Sequence, residues 1–117
     1  MPNHYNCSDG SQVTEATIKT RRSATYRKMY AGNPHPNCEG CGASAEGSAH
    51  LIPQKVAKDN GMTELCWLEE NIVPACTRCN SILESYKGDE IKDLFCYEKA
   101  LKITKKYLPE RYERMIN

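Results

Sequence analysis

The sequence predicts an α+β fold, in which a small ββα centre stapled by cysteines is flanked by N- and C-terminal helices. Three observations predict this class. The chain has 117 residues, the length of one domain, so residues 1–117 are treated as a single unit. Two C-x2-C pairs bracket its middle. Short apolar runs, one of them ended by proline, lie between these pairs, whereas longer stretches with helical spacing lie outside them.

The N-terminal segment is predicted to contain one helix. Residues 1–10 are polar and are predicted to be irregular. Apolar and aromatic side chains then recur at roughly helical spacing over residues 11–31. Gly32-Asn33-Pro34 stops this helix, and a linker follows. Helix and linker together make up residues 11–37.

The core segment, residues 38–88, is predicted to hold two strands and a helix. The first strand covers residues 48–52 and ends because Pro53 cannot donate to a strand ladder. The second strand covers residues 72–75. A helix should follow over residues 77–86, starting just after the second cysteine pair begins.

The C-terminal segment, residues 89–117, is predicted to be helical. Pro109 should break it into a longer helix and a last short turn. The longer helix is predicted from four apolar residues that share one face, namely Ile91, Leu94, Phe95 and Leu101.

The net charge of +1 does not by itself indicate binding to nucleic acid. Basic residues nevertheless cluster near both ends of the chain. Solvated helix faces are the simplest interpretation of these clusters, and phosphate contacts are the alternative. The N-terminal cluster is Lys19, Arg21, Arg22, Arg27 and Lys28, and the C-terminal cluster is Lys99, Lys102, Lys105 and Lys106.

The chain shows no signal for a membrane or for export. No apolar run approaches the roughly eighteen residues of a membrane helix, and the N-terminus lacks an apolar signal-peptide core. We therefore expect no membrane partner and a cytoplasmic location. The absence of an evident dimer seam favours a monomer.

Four of the seven cysteines predict a structural metal site. Cys38 and Cys41 form one C-x2-C pair, and Cys76 and Cys79 form the other. Two such pairs complete a tetrahedron around one Zn²⁺, and four thiolates leave no open position for catalysis. The alternatives are ordinary core cysteines and a rubredoxin-like iron site, although the second pair is followed by Asn80 rather than glycine. The remaining cysteines lack partners at ligand spacing and are expected to be small buried residues or surface thiols.

Three further motifs surround the cysteine pairs. Ala49-His50-Leu51-Ile52-Pro53 lies between them, Glu70-Asn71-Ile72-Val73-Pro74-Ala75 runs into Cys76, and Cys79-Asn80-Ser81-Ile82-Leu83-Glu84 follows. In this order they resemble the HNH family of endonucleases, the ββα-metal nucleases, in its zinc-knuckle form. The resemblance covers about 50 of the 117 residues and includes neither flanking helix.

The resemblance implies a role for each matching residue. His50 corresponds to the general base that takes a proton from the attacking water, a task that suits imidazole near neutral pH. Asn71 corresponds to a residue that braces the loop carrying the base. Asn80 corresponds to a ligand of the catalytic metal, and its amide oxygen suits Mg²⁺ or Mn²⁺. Without the resemblance, His50 would be taken as structural and Asn80 as a helix cap.

The sequence departs from the family pattern at Ala49, where many members carry an aspartate or histidine that binds the metal. Glu84 is the leading substitute, because it lies four residues after Asn80 and shares its face on a helix. A solvated surface carboxylate is the competing interpretation of Glu84. Ser48 and Glu46 are weaker candidates.

The predicted function is metal-dependent hydrolysis of DNA, with double-stranded DNA as the expected partner and nicking of one strand as the expected outcome. Arg78 and Lys87 are predicted phosphate contacts, and the basic N-terminal helix should extend the footprint. The alternative is a zinc-ribbon module that binds nucleic acid without cutting it. Nothing in the sequence indicates the target, or distinguishes DNA from RNA.

Overall fold

The structure, a computed structural model, describes residues 3–85 and 88–117 and shows a small α+β fold. No helix in these residues combines the length and apolar character needed to cross a membrane. The strands are β1 (His4–Asn6), β2 (Gln12–Thr14), β3 (Gly47–His50) and β4 (Ile72–Ala75). The helices are α1 (Glu15–Tyr30), α2 (Gln54–Asp59), α3 (Thr77–Ser85), α4 (Tyr97–Tyr107) and α5 (Pro109–Ile116).

The N-terminal part of the chain forms a β-hairpin. The prediction that residues 1–10 are irregular was therefore wrong for β1, and the prediction that a helix begins at residue 11 was wrong for β2. β1 pairs antiparallel with β2, with Tyr5 opposite Val13. Val13 is buried in the core, and this packing favours a strand over a first helical turn. Helix α1 starts only at Glu15, where the Thr14 side chain accepts a hydrogen bond from the N–H of Thr17.

The central hairpin consists of β3 and β4, which pair antiparallel with His50 opposite Ile72. Ala49 and Val73 face the core and are fully buried. Helix α3 follows β4 almost directly and packs against β3. The second strand and the start of this helix are confirmed, whereas β3 ends at His50, two residues before the predicted end.

Asn71 explains why β3 ends where it does. This fully buried side chain accepts a hydrogen bond from the N–H of Ile52 (2.7 Å) and donates to the carbonyls of Ile52 (3.0 Å) and Leu65 (2.9 Å). The backbone carbonyl of Asn71 accepts a hydrogen bond from the N–H of Leu51 (2.9 Å). The backbone after His50 therefore bonds to one asparagine instead of continuing the ladder, which fixes the loop directly behind the histidine.

The start of the C-terminal segment differs from the prediction that a longer helix begins near residue 89. A 3-10 helix covers Gly88–Asp93, and α4 begins only at Tyr97. Ile91 and Leu94 are buried as predicted, but Phe95 is 75% exposed. Its N–H donates to the carbonyl of Gly40 (2.9 Å), so this stretch follows the first cysteine loop and not a helix axis.

Pro109 separates the last two helices, as predicted, and lies in the first turn of α5, where its missing N–H costs no helical hydrogen bond. Helix α4 is tied to the core through Glu70, next to Asn71. The Glu70 carboxylate accepts a hydrogen bond from the hydroxyl of Tyr107 and pairs with Lys106 at 3.2 Å. These contacts lower the pKa of Glu70, the Tyr107 hydrogen bond contributing most.

Candidate functional site

The four predicted ligand cysteines form one cluster. The sulfur atoms of Cys38, Cys41, Cys76 and Cys79 all lie within 4.8 Å of one another, and those of Cys41 and Cys76 are 3.8 Å apart. Tetrahedral zinc with bonds of about 2.3 Å separates its sulfur ligands by roughly 3.8 Å. All four are free thiols. The cluster can therefore hold one metal ion such as zinc.

The first cysteine loop is shaped around sulfur. The N–H of Gly40 donates to the sulfur of Cys38 (3.3 Å), and Gly42 turns the chain with a φ of +83°. A Cβ atom at Gly40 would lie 2.7 Å from the sulfur of Cys79. Glycine is therefore required at residue 40 for close approach of the two cysteine pairs.

The second cysteine pair joins the hairpin to α3. Cys76 follows the last residue of β4, and its carbonyl accepts a hydrogen bond from the N–H of Asn80 (2.9 Å) in the first helical turn. Glu46 caps this turn, accepting from the N–H (3.3 Å) and the hydroxyl (3.1 Å) of Thr77. Glu46 thus lies at the helix start, and the weaker expectation that it binds the catalytic metal finds no support in its contacts.

The thiols of the cluster are electrostatically unequal. Burial acts to raise the pKa of Cys38, but hydrogen bonds from the backbone of Cys76, Gly40 and Cys41 outweigh it and lower the pKa to about 7. Burial raises the pKa of Cys79 far above its ordinary value, and hydrogen bonds with the other three thiols add to this. One cysteine of the cluster therefore loses its proton readily, and its negative charge disfavours deprotonation of the others. A bound divalent cation would neutralise these charges and allow the other thiols to lose their protons as well.

The remaining cysteines, Cys7, Cys66 and Cys96, are buried and do not belong to the four-sulfur cluster, as expected for small core residues. Burial raises the pKa of the Cys66 thiol to about 11 and raises that of Cys96. The thiols of Cys66 and Cys96 are therefore poor nucleophiles and poor ligands.

A small cleft of about 100 Å³ brings together the residues predicted to be catalytic. His50 comes from the end of β3, and Asn80 and Glu84 come from successive turns of α3. The full lining is Tyr26, Ser48, His50, Pro53, Gln54, Asn80 and Glu84. One imidazole, two amides and one carboxylate thus share a solvent-open site beside the hairpin.

His50 is held as a neutral base. It is 8% exposed, and its Nε2 atom lies 2.9 Å from the carbonyl of Cys66. Because a carbonyl only accepts, Nε2 carries the proton and Nδ1 keeps its lone pair. Burial lowers the pKa of His50 to about 4; the Cys66 hydrogen bond opposes this shift, and the charge of Arg22 adds to it.

The direction of the side chains in β3 bears on Ala49, where many HNH members carry a metal-binding residue. Side chains alternate along a strand, so Ala49 faces the core, where it is fully buried, while Ser48 lines the cleft with His50. The Ser48 hydroxyl is hydrogen-bonded to the hydroxyl of Tyr30. A metal ligand at residue 49 would point away from this cleft in the present backbone. Asn71 lies behind the loop after His50 and does not line the cleft.

The predicted nucleic-acid contacts are dispersed. Arg21 lies 4.8 Å from the ring centre of Trp67, and Lys28 pairs with Glu69 at 3.4 Å. Arg27 and Arg78 are exposed, on α1 and at the start of α3. Lys87 lies outside the described residues.

Among the members of this set that the structure describes, only Arg22 is joined to the cleft, through a hydrogen bond from Nη1 to the side-chain oxygen of Gln54. Sequence reasoning missed Gln54 and also Tyr26, which lines the cleft from α1. Arg22, Tyr26 and Tyr30 recur every four residues. This spacing indicates that the three side chains share one face of a helix, and it was the signal in the sequence that could have identified them.

A comparison of the chain with protein-family models, with curated proteins and with solved structures finds no match. The function is therefore inferred from the residues and from the geometry described above.

Replacing Gly40 with alanine should weaken zinc binding about 10- to 100-fold, because the added Cβ atom overlaps the sulfur of Cys79 and overpacking of this kind costs about 1–3 kcal/mol. Competition with a chromophoric chelator measures the affinity. Gly47→Ala is the matched control, since a Cβ atom there meets nothing within 4 Å. Equal affinities of both variants and the parent protein would contradict the assignment of this cluster as the zinc site.

The imidazole of His50 should remain neutral at pH 6 and titrate near pH 4, because burial disfavours its charged form. Long-range ¹H–¹⁵N NMR of the zinc-loaded protein follows this titration, and the urea-unfolded chain provides the ordinary value of about 6.5. Since the unfolded chain takes up the proton first, folding stability should be intact above pH 6.5 and fall toward pH 4. Titration of the folded-state imidazole near 6.5 would contradict its burial as a neutral base.

Proposed function

We propose that the chain is a metal-dependent endonuclease of the HNH type, in its zinc-knuckle form, that hydrolyses DNA phosphodiester bonds one strand at a time. One observation carries this proposal. A buried, neutral histidine with a free Nδ1 lone pair shares a cleft with an amide and a carboxylate on one helix. The order of β3, β4 and α3 around the four-cysteine cluster supports a ββα-metal centre.

Asn80 and Glu84 would hold the catalytic cation. Both line the cleft and lie one turn apart on α3, so their oxygen atoms can converge on one ion. Amide and carboxylate oxygens are hard donors that suit Mg²⁺ or Mn²⁺, whereas zinc suits the four thiolates. When bound, such a cation supplies Lewis-acid stabilisation of the charge that develops on the phosphate and on the leaving oxygen.

His50 would act on the attacking water. Its Nδ1 atom accepts a proton as the water oxygen forms a bond to phosphorus. The bond from phosphorus to the 3′ oxygen breaks, and the departing oxygen keeps the electron pair and takes up a proton from solvent. The products are a 5′-phosphate and a 3′-hydroxyl. Deprotonation of His50 restores the base for the next turnover.

The remaining residues would position this chemistry. Asn71 fixes the loop behind His50, and the cysteine cluster fixes α3, with Asn80 and Glu84, against the hairpin. One such centre acts on one strand, so a monomer should nick duplex DNA. A double-strand break would require two centres or two encounters.

Cleavage of supercoiled plasmid by zinc-loaded protein tests this function. Added Mn²⁺ should produce nicked circles, and its omission should abolish them without removing the zinc. His50→Ala should lower the single-turnover rate by at least about 100-fold, the usual contribution of a general base, while keeping zinc content and fold. His35→Ala, which changes an exposed histidine outside the cleft, is the control and should cut normally.

Full activity of His50→Ala would remove this residue from the mechanism. Glu84→Ala should raise the Mn²⁺ concentration needed for half-maximal rate at least about 10-fold and leave zinc content unchanged. Glu98→Ala, at an exposed carboxylate on α4, is its control. Parent protein that binds DNA but cuts nothing with Mg²⁺ or Mn²⁺ across several pH values would instead support the non-catalytic zinc-ribbon module.

A further inference from the structure

Helix α1 forms one wall of the cleft. Tyr26 lines the cleft directly, and the hydroxyl of Tyr30, one turn later, is hydrogen-bonded to Ser48. Arg22, one turn earlier, donates from Nη1 to the side chain of Gln54, itself a lining residue at the start of α2. Three successive turns of α1 therefore contact the rim or floor of the site that contains His50.

Arg22 differs from the other basic residues of this helix in its partner. Lys28 is neutralised by Glu69, and Arg21 lies over the ring of Trp67. Arg22, by contrast, is half-buried against a neutral amide and forms no ion pair with any carboxylate of the described part of the chain. Glu84 also lines the cleft, but no ion pair between it and Arg22 is present, and a partly buried guanidinium favours a compensating anion.

We propose that Arg22 binds the phosphate that is to be cut, and that Gln54 is the residue that positions it. This inference rests on the proposed nuclease function and adds a group that neither the cysteine spacing nor the HNH resemblance assigns. The ligand it names is one phosphodiester of a nucleic-acid strand, lying between α1 and α3.

The chemistry of the two side chains fits this role. A guanidinium group stays charged at all working pH values and presents several donors in a plane, which matches two oxygens of one phosphate. The Gln54 oxygen occupies one nitrogen of Arg22 and leaves other N–H donors for a ligand. Negative charge increases on the phosphate oxygens as water attacks, so a fixed cation there binds the transition state more tightly than the substrate.

Arg22 also lies near the candidate base, because its partner Gln54 lines the same cleft as His50. A phosphate held by Arg22 would therefore lie beside His50, where the attacking water must be deprotonated. Arg27, which is exposed on the same helix and does not line the cleft, provides a matched comparison.

Arg22→Gln and Arg27→Gln remove one positive charge each, and their single-turnover nicking with saturating protein and Mn²⁺ tests the inference. Arg22→Gln should cut about 100- to 1,000-fold more slowly, the effect of losing one preorganised transition-state donor. Arg27→Gln should change the rate less than about 3-fold. Without divalent cation, both variants should lose similar affinity for a short duplex, because each removes one counterion-releasing charge.

Gln54 is tested by its own pair of variants. Gln54→Glu should pair with Arg22, neutralise it and slow cutting nearly as much as Arg22→Gln, with a similar loss of duplex affinity, because each variant lowers the net charge by one. Gln54→Ala leaves the charge but frees the guanidinium, and should slow cutting less. Arg22→Lys, which keeps the charge without the planar donors, should recover only part of the rate and serves as the folded control for Arg22→Gln.

The outcomes separate this inference from the function it rests on. If the parent protein cuts and Arg22→Gln cuts equally well, or if Arg27→Gln is impaired to the same degree, then Arg22 is an ordinary flanking charge and the inference is wrong. If the parent protein binds duplex but cuts nothing, the proposed function is wrong and the assignment of Arg22 is wrong with it. Normal zinc content of each variant excludes unfolding as the cause of a slow rate.

Discussion

Four sulfur atoms converge at the base of α3 and join this helix to the central hairpin and to the first cysteine loop. One cysteine pair lies in a tight loop that requires Gly40, and the other spans the junction of β4 and α3. A metal held there ties these segments into one rigid unit, which matters in a chain of this size because its apolar core alone is modest. Without that tie, only the packing of α3 on the hairpin would hold Asn80 and Glu84 in the same cleft as His50.

Burial keeps the candidate base neutral near pH 7, while the lowered pKa also makes it a weaker proton acceptor. A solvated histidine would be partly protonated near neutral pH, whereas His50 is enclosed and donates its only proton to the Cys66 carbonyl. Asn71 supports this arrangement from behind, by satisfying backbone groups that would otherwise be buried without partners. The acidic and amide oxygens of α3 stay nearer to solvent, where a hydrated divalent cation can reach them. Under the proposed function, one cleft would combine a desolvated base with an accessible cation site.

Much of this centre could be predicted from sequence, because ligand spacing and strand ends are local properties. The two cysteine pairs predicted the cluster, whereas Pro53 predicted a strand end two residues beyond the observed one, because Asn71 ends the ladder at His50. The N-terminal hairpin could not be predicted, since its strands have three residues each and depend on Val13 reaching the core. The exposure of Phe95 and the contact of Arg22 with Gln54 also depend on tertiary structure, because in each case the partner is distant in the chain.

The proposed function requires that the cleft beside His50 hold a divalent cation distinct from the zinc. Paramagnetic line broadening by substoichiometric Mn²⁺ in zinc-loaded protein locates such a cation directly. If the cation binds there, NMR signals of Asn80, Glu84 and Gln54 broaden first, with zinc retained. Broadening that begins at exposed carboxylates such as Glu98 or Glu110, or no localised broadening at all, would contradict it.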